Sequence, residues 1–167
     1  EFIKSASGTS VSSLDVTDCF SDTYDVYYLS LTKMKRASAD NFILLRFLDS
    51  SGTVISASEY DYASLELRAY TTFNEARATS QTRIQNIAYG SSNTPDIGGV
   101  SLYVYNPYDS SSYTFVQNQS SSFRNGSGGF GLKTIGVHKS AEQISGVRFI
   151  AEGVNLDTIE VSVYGVK

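Results

Sequence analysis

The chain has 167 residues, 41% of them hydrophobic and 18% charged, with a formal net charge of −4. That length supports one domain with a sizeable core over residues 1–167, and the acidic balance argues against a phosphate-tracking surface, so no nucleic-acid partner is expected. The single cysteine, Cys19, excludes an intrachain disulfide and a multi-thiolate metal site, and no apolar run reaches the roughly 20 residues of a bilayer span, so no membrane insertion is expected.

In chain order, Val11 to Val16 reads as an early strand, followed by turn-rich Asp18, Ser21 and Asp22. From Val26 to Met34, Tyr27, Leu29 and Leu31 fall on one side, and Tyr28, Ser30 and Thr32 on the other, the period-two pattern of a half-buried strand. In Phe42 to Leu48 both sides are partly apolar, because Leu44 and Leu48 flank Arg46 opposite Ile43, Leu45 and Phe47; a central sandwich strand reads this way. Asp49-Ser50-Ser51-Gly52 marks a turn, and Thr53 to Ala57 is expected to return as a hairpin partner. Glu59 to Arg68 fits a strand or extended loop with one helical turn near Ala63 to Ala69, and Thr79 to Ile87 a polar strand. After a turn over Tyr89 to Pro95, Val100, Leu102 and Val104 alternate with Ser101, Tyr103 and Tyr105. Asn106-Pro107-Tyr108-Asp109 starts a turn, because proline fixes φ and Asp bonds its own backbone. Strands are then expected at Tyr113 to Gln119, Leu132 to His138, Val147 to Ile150 and Ile159 to Tyr164, with a loop at Asn125 to Gly129.

Eight to ten short strands with no long amphipathic helix predict an all-β fold. The expected architecture is an antiparallel two-sheet β-sandwich of jelly-roll type, with an Ig-like sandwich second.

Residues for chemistry are sparse. His138 is the sole histidine and lies in no nucleophile motif, so it is expected as a surface or interface side chain. Cys19 is expected as a small buried hydrophobe. The close carboxylates Glu59 with Asp61, and Asp15 with Asp18, read as solvated pairs. None sits in a Ca²⁺-loop pattern, so no catalytic residue, metal or cofactor is expected, and the protein is not expected to be an enzyme. Tyrosine is the ambiguous feature, at 12 residues with 9 Phe and no Trp. Tyr60, Tyr62, Tyr103, Tyr105 and Tyr108 are the candidates for an interface or glycan contact, since such rings are rigid and carry a hydrogen-bonding tip.

Two stretches carry a family resemblance. Phe2 to Val11 leads into Tyr24-Asp25-Val26-Tyr27. The second half has Asn106-Pro107, Thr114-Phe115-Val116, Ile144-Ser145-Gly146-Val147-Arg148-Phe149, Gly153, Asn155, Thr158-Ile159 and Tyr164-Gly165. This layout resembles small all-β virion structural proteins of tailed phages that infect cyanobacteria and other marine bacteria. It departs from them at Gly153 to Asp157, where a residue is inserted and Asp157 replaces a second glycine, which bears on the final hairpin turn. The resemblance implies a structural protein on the outer surface of the virion. It would be a tail-fibre or appendage module for assembly and host-surface contact, or alternatively a capsid decoration (cement) protein. Expected partners are other virion proteins and further copies of itself, as a homo-oligomer such as a trimer. A host-surface glycan is the partner in the third reading, a carbohydrate-binding module.

Overall fold

Alternation decides which side of each run faces inward. In the computed structural model, which describes residues Glu1–Lys167, the runs close into two stacked antiparallel sheets. The first six strands are β1 (Phe2–Val11), β2 (Ser13–Val16), β3 (Val26–Arg36), β4 (Asn41–Asp49), β5 (Tyr60–Arg68) and β6 (Asn74–Gln81). The remaining six are β7 (Ile84–Gly90), β8 (Gly99–Tyr105), β9 (Thr114–Arg124), β10 (Gly128–His138), β11 (Ile144–Ala151) and β12 (Leu156–Val166). The large sheet has eight strands ordered β1-β12-β3-β8-β9-β10-β5-β6, and the small sheet four, β2-β11-β4-β7. The fold is therefore an all-β, two-sheet antiparallel sandwich. Its twelve strands, divided eight and four, exceed the eight of a jelly roll, and that subtype is not established by this order.

The core fills the space between the sheets. Tyr27, Leu29 and Leu31 of β3 and Ile159, Val161 and Val163 of β12 enter it from the large sheet. Ile43, Leu45 and Phe47 of β4 meet them from the small sheet, with Val147 and Phe149 of β11. Fully burying an apolar side chain of this size contributes about 1.5–3 kcal/mol. Leu44 and Leu48, on the other side of β4, are buried as well, so this strand is covered on both faces as its sequence indicates.

A polar seam crosses this interior under β9, β10 and β5, where Asn118, Thr134 and Ser64 are buried. Strand β7 supplies their partners. Its register with β4 shifts between Ile43 and Leu45, and Asn86 adopts a left-handed φ of 58°, as a bulge residue does. Asn86 Nδ2 donates to Ser64 Oγ at 2.8 Å, and its carbonyl accepts from Thr134 Oγ1 at 2.6 Å. Asn118 Nδ2 donates to the Ile87 carbonyl at 2.7 Å. Left unpaired, a buried group of this kind costs about 1–3 kcal/mol, so the seam fixes β7 over one position of the large sheet.

Close approach of the sheets also explains a glycine on the inner face of β10. A Cβ on Gly136 would lie 2.7 Å from Ile84 Cδ1 and 3.0 Å from its Cγ2. Gly136→Ala is expected to destabilise the fold by about 1–2 kcal/mol through overpacking. Combining it with Ile84→Val should recover part of that loss in a urea titration. An alanine variant as stable as the parent would show that the sheets are not held apart by Ile84.

Four expectations change in detail. Thr53 to Ala57 forms no hairpin strand; Leu48 and Val54 share one isolated bridge. The single polar strand expected over Thr79 to Ile87 is two strands, β6 and β7, in different sheets. Strands β11 and β12 also lie in different sheets, so the segment through Gly153, at φ 83°, is a crossing between layers and not a hairpin turn. The helical turn near Ala63 is absent, because those residues belong to β5.

Candidate functional site

Residues directly opposite in an antiparallel ladder project from the same face. Across the outer face of the large sheet, Phe2 is opposite Tyr164, Tyr164 opposite Tyr28, and Tyr28 opposite Tyr103. Tyr103 is opposite Gln117, and Gln117 opposite Ile135. One row therefore runs perpendicular to the strands from β1 to β10. Its ring centroids are 5.7 Å apart for Phe2 and Tyr164, 6.0 Å for Tyr164 and Tyr28, and 5.3 Å for Tyr28 and Tyr103. Two residues along each strand, a second row sets Val26, Tyr105, Phe115 and Val137 opposite one another. The neighbouring row on the other side is polar, with Ser162, Ser30, Ser101, Gln119 and Lys133 in register.

The apolar rows are open to solvent. Phe2 is 57% exposed, Tyr103 38%, Phe115 46% and Ile135 58%. A single exposed apolar residue is ordinary, but a contiguous rimmed patch marks a contact surface or ligand groove. Beside it lies a depression of about 800 Å³ bounded by Tyr105, Phe115, Gln117 and Ile135, with Asp61 and Arg77 on its polar side. The Asp61 carboxyl is held below its ordinary pKa by hydrogen bonds from Lys139 and the Ser80 N–H, so it presents a charge at neutral pH. The arrangement offers ring stacking and hydrophobic contact with a few polar groups along the margin.

The tyrosines singled out in the sequence divide between the two faces. Tyr103 and Tyr105 stand together on the outer face, with rings 6.3 Å apart and an interplanar angle of 20°. Tyr60 does not join them, which corrects its assignment as a contact residue. It is fully buried, its hydroxyl donating to the Ile55 carbonyl at 3.1 Å and accepting from the Phe47 N–H at 3.1 Å. Tyr62 shares that inward face, half-buried, and donates to Gln85 Oε1 at 2.7 Å. Tyr108 is half-buried in the turn after β8. Sequence reasoning missed Phe2, Phe115, Ile135 and Tyr164, which needed the strand register; Tyr28 was legible from its place on the polar side of β3.

The carboxylate pairs separate. Asp15 forms a bidentate pair with Arg148, at 2.5 and 2.6 Å. Asp61 pairs with Lys139 at 2.9 Å, and Glu59 turns to His138. His138 is not a surface side chain, a second correction. It continues the inward set Leu132, Thr134 and Gly136 of β10 and is fully buried, its ring centroid 5.0 Å from that of Tyr60 and 6.1 Å from that of Phe47. Its Nε2 lies 3.1 Å from Glu59 Oε2 and 3.6 Å from Glu142 Oε1. Cys19 is buried, and burial pushes its thiol up to about 12, far from a nucleophile's range. In comparisons with known proteins, the chain matches no family model and no curated protein.

Proposed function

We propose that this protein is a non-enzymatic contact module that works through the outer aromatic face of its large sheet. Its setting, as the sequence resemblance suggests, is an exposed tail-fibre or appendage position on a tailed-phage virion. The observation that carries the contact reading is the outer-face row Phe2, Tyr164, Tyr28 and Tyr103, exposed at Phe2 and Tyr103 and half-buried between them, with exposed Ile135 farther along it and exposed Phe115 in the adjoining row. Aromatic residues dominate the energetics of interface centres, and losing one hot-spot ring costs about 2 kcal/mol or more. The first occupant is a further copy of the chain, in keeping with a homo-oligomer. The virion setting rests on the sequence resemblance alone.

Sedimentation velocity tests the contact. The parent is expected to self-associate, and Tyr103→Ser with Phe115→Ser to weaken association by at least about thirtyfold, the equivalent of one hot-spot ring. A parent and variant that sediment alike and bind other surfaces alike would overturn the proposal. A carbohydrate-binding reading is favoured by one specific feature, the near-parallel pair Tyr103 and Tyr105 beside Gln117, Asp61 and Arg77. Glycan-array binding by a monomeric parent, lost in Tyr105→Ala, would select that reading instead.

A further inference from the structure

We propose that Glu59, His138 and Glu142 form a binding site for a divalent transition-metal cation of the zinc class. The three residues come from distant parts of the chain: Glu59 immediately precedes β5, His138 ends β10, and Glu142 lies in the connection to β11. One ligand atom from each lies within 4.8 Å of the others. The His138 Nε2 separations of 3.1 and 3.6 Å from the two carboxylate oxygens bracket the roughly 3.3 Å edge of a tetrahedron whose metal–ligand bonds are about 2.0–2.1 Å. The two carboxylate oxygens, within 4.8 Å of each other on partly exposed side chains, can draw in around an ion.

Charge and hydrogen bonding support the assignment. The ring has one nitrogen facing two carboxylates, and Nε2–H has a single proton to donate. Neither Glu59 nor Glu142 has a Lys or Arg partner; Lys139, beside His138 in sequence, is engaged by Asp61. Two like charges around one donor are unfavourable, and a divalent cation replaces that proton with a charge both carboxylates share. The imidazole is preset for this role. It is fully buried and packed between β5 and β4 by Tyr60 and Phe47, whereas the carboxylates are 38% and 36% exposed and leave a route for an ion from solvent. Metal-bound at Nε2, the ring carries its proton on Nδ1, which has no partner among the protein's own groups. Thr114, directly across the β9–β10 ladder, has a buried Oγ1 that is likewise unpartnered.

The donor set indicates which ion. A nitrogen with two carboxylates suits Zn²⁺ and its neighbours, while Ca²⁺ and Mg²⁺ take oxygen ligands throughout. Three protein ligands leave at least one coordination position for water. The bound ion would tie the segment before β5 to the β10–β11 connection, on the inner-face end of strands whose outer face is the aromatic patch.

The test uses the full chain freed of metal by chelation, titrated with Zn²⁺ and separately with Ca²⁺ and Mg²⁺, following Tm and heat of binding. One equivalent of Zn²⁺ is expected to bind and raise Tm, with no comparable response to Ca²⁺ or Mg²⁺. Glu142→Gln, a substitution at a partly exposed position, is expected to fold and to weaken Zn²⁺ binding by at least about tenfold. Co²⁺ in place of Zn²⁺ should give a visible absorption band that disappears in His138→Gln or Glu142→Gln. A parent that binds no Zn²⁺, or a Glu142→Gln variant whose Zn²⁺ titration and Co²⁺ spectrum match the parent, would overturn the site and leave an ordinary hydrogen-bonded trio. Neither outcome bears on self-association, so the site and the aromatic face fail independently.

Discussion

Replacing Arg36 with methionine is expected to destabilise the protein by about 3 kcal/mol, a loss in the range of a broken buried charge network. Arg36 ends β3 and is only 1% exposed, although no carboxylate forms a salt bridge with it. Its guanidinium instead donates to three carbonyls: Nε to Ala39 at 2.9 Å, Nη1 to Phe42 at 3.4 Å and Nη2 to Glu152 at 2.8 Å. Burial pulls its pKa below the ordinary arginine value, with Asp40 and Glu152 acting in the opposite sense. The side chain thus joins the end of β3, the β3–β4 loop and the crossing from β11 to β12. Methionine replaces the aliphatic stem but is shorter than the guanidinium and leaves those carbonyls without a donor. Lysine keeps the charge as a point donor and cannot reach three acceptors in a fork, so Arg36→Lys should fall between the two. Urea midpoints for the three proteins check this. Arg36→Met within about 0.5 kcal/mol of the parent, the scale of an ordinary surface substitution, would mean that the carbonyls find other donors.

Raising the pH is expected to remove a comparable amount of stability through one thiol. Burial pushes Cys19 from 9.0 up to about 12. In the unfolded chain the thiol ionises as pH passes 9, while the folded protein holds it protonated. Ionisation therefore favours the unfolded state, and the contribution present below pH 9 is lost progressively up to about pH 12. At 1.36 kcal/mol per unit, three units amount to about 4 kcal/mol. Tyr60 acts in the same sense, its hydroxyl raised by burial above an ordinary value of 10.0, so its share is lost from pH 10 upward. Other groups also titrate in this range, and Cys19→Ala isolates the thiol. Plotted as unfolding free energy against pH between 7 and 11, the variant should start lower and decline less steeply than the parent. Parallel curves would show that the thiol is not desolvated in the folded protein.

The strands most legible in the sequence are those whose two sides differ in polarity. Strands β3, β8 and β12 show that contrast over Tyr27–Leu31, Val100–Val104 and Ile159–Val163, and there their inward sets are those the alternation indicates. The edge strands were obscured by the property that suits them to an edge. Strand β6, Asn74–Gln81, has no residue in the buried class, and β1 mixes Ser, Gly and Thr; polar edges of this kind discourage pairing with other chains. Strand β7 was hidden by its bulge, since Asn86 breaks the alternation between Ile84 and Ile87. The site was harder to read because β5 inverts the usual assignment. Its inward face carries Tyr60, Tyr62, Ser64 and Glu66, while Leu65 and Leu67 turn outward. A one-residue choice of face exchanges every side chain of a strand, and here the aliphatic side is the solvent side. Glu66 tolerates burial because Arg68 pairs with it. For His138 the information was present: counting by two from Leu132 places it inside. Its meeting with Glu59 and Glu142 was not, because only the three-dimensional path of the chain brings those positions together.

The pairing of β1 with β12 also governs how the sandwich bears tension. Phe2 is opposite Tyr164 and Val11 opposite Leu156, so Phe2 and Val166 lie at the same end of that ladder. A pull applied between them is directed across the strands, along the axis of the inter-strand hydrogen bonds, and loads the rungs one after another like an unzipping tape. Anchored at those two points, the molecule would yield to small forces by peeling β1 away. Tension taken up across the aromatic face would be shared by several strands at once, which makes that face the stronger point of attachment.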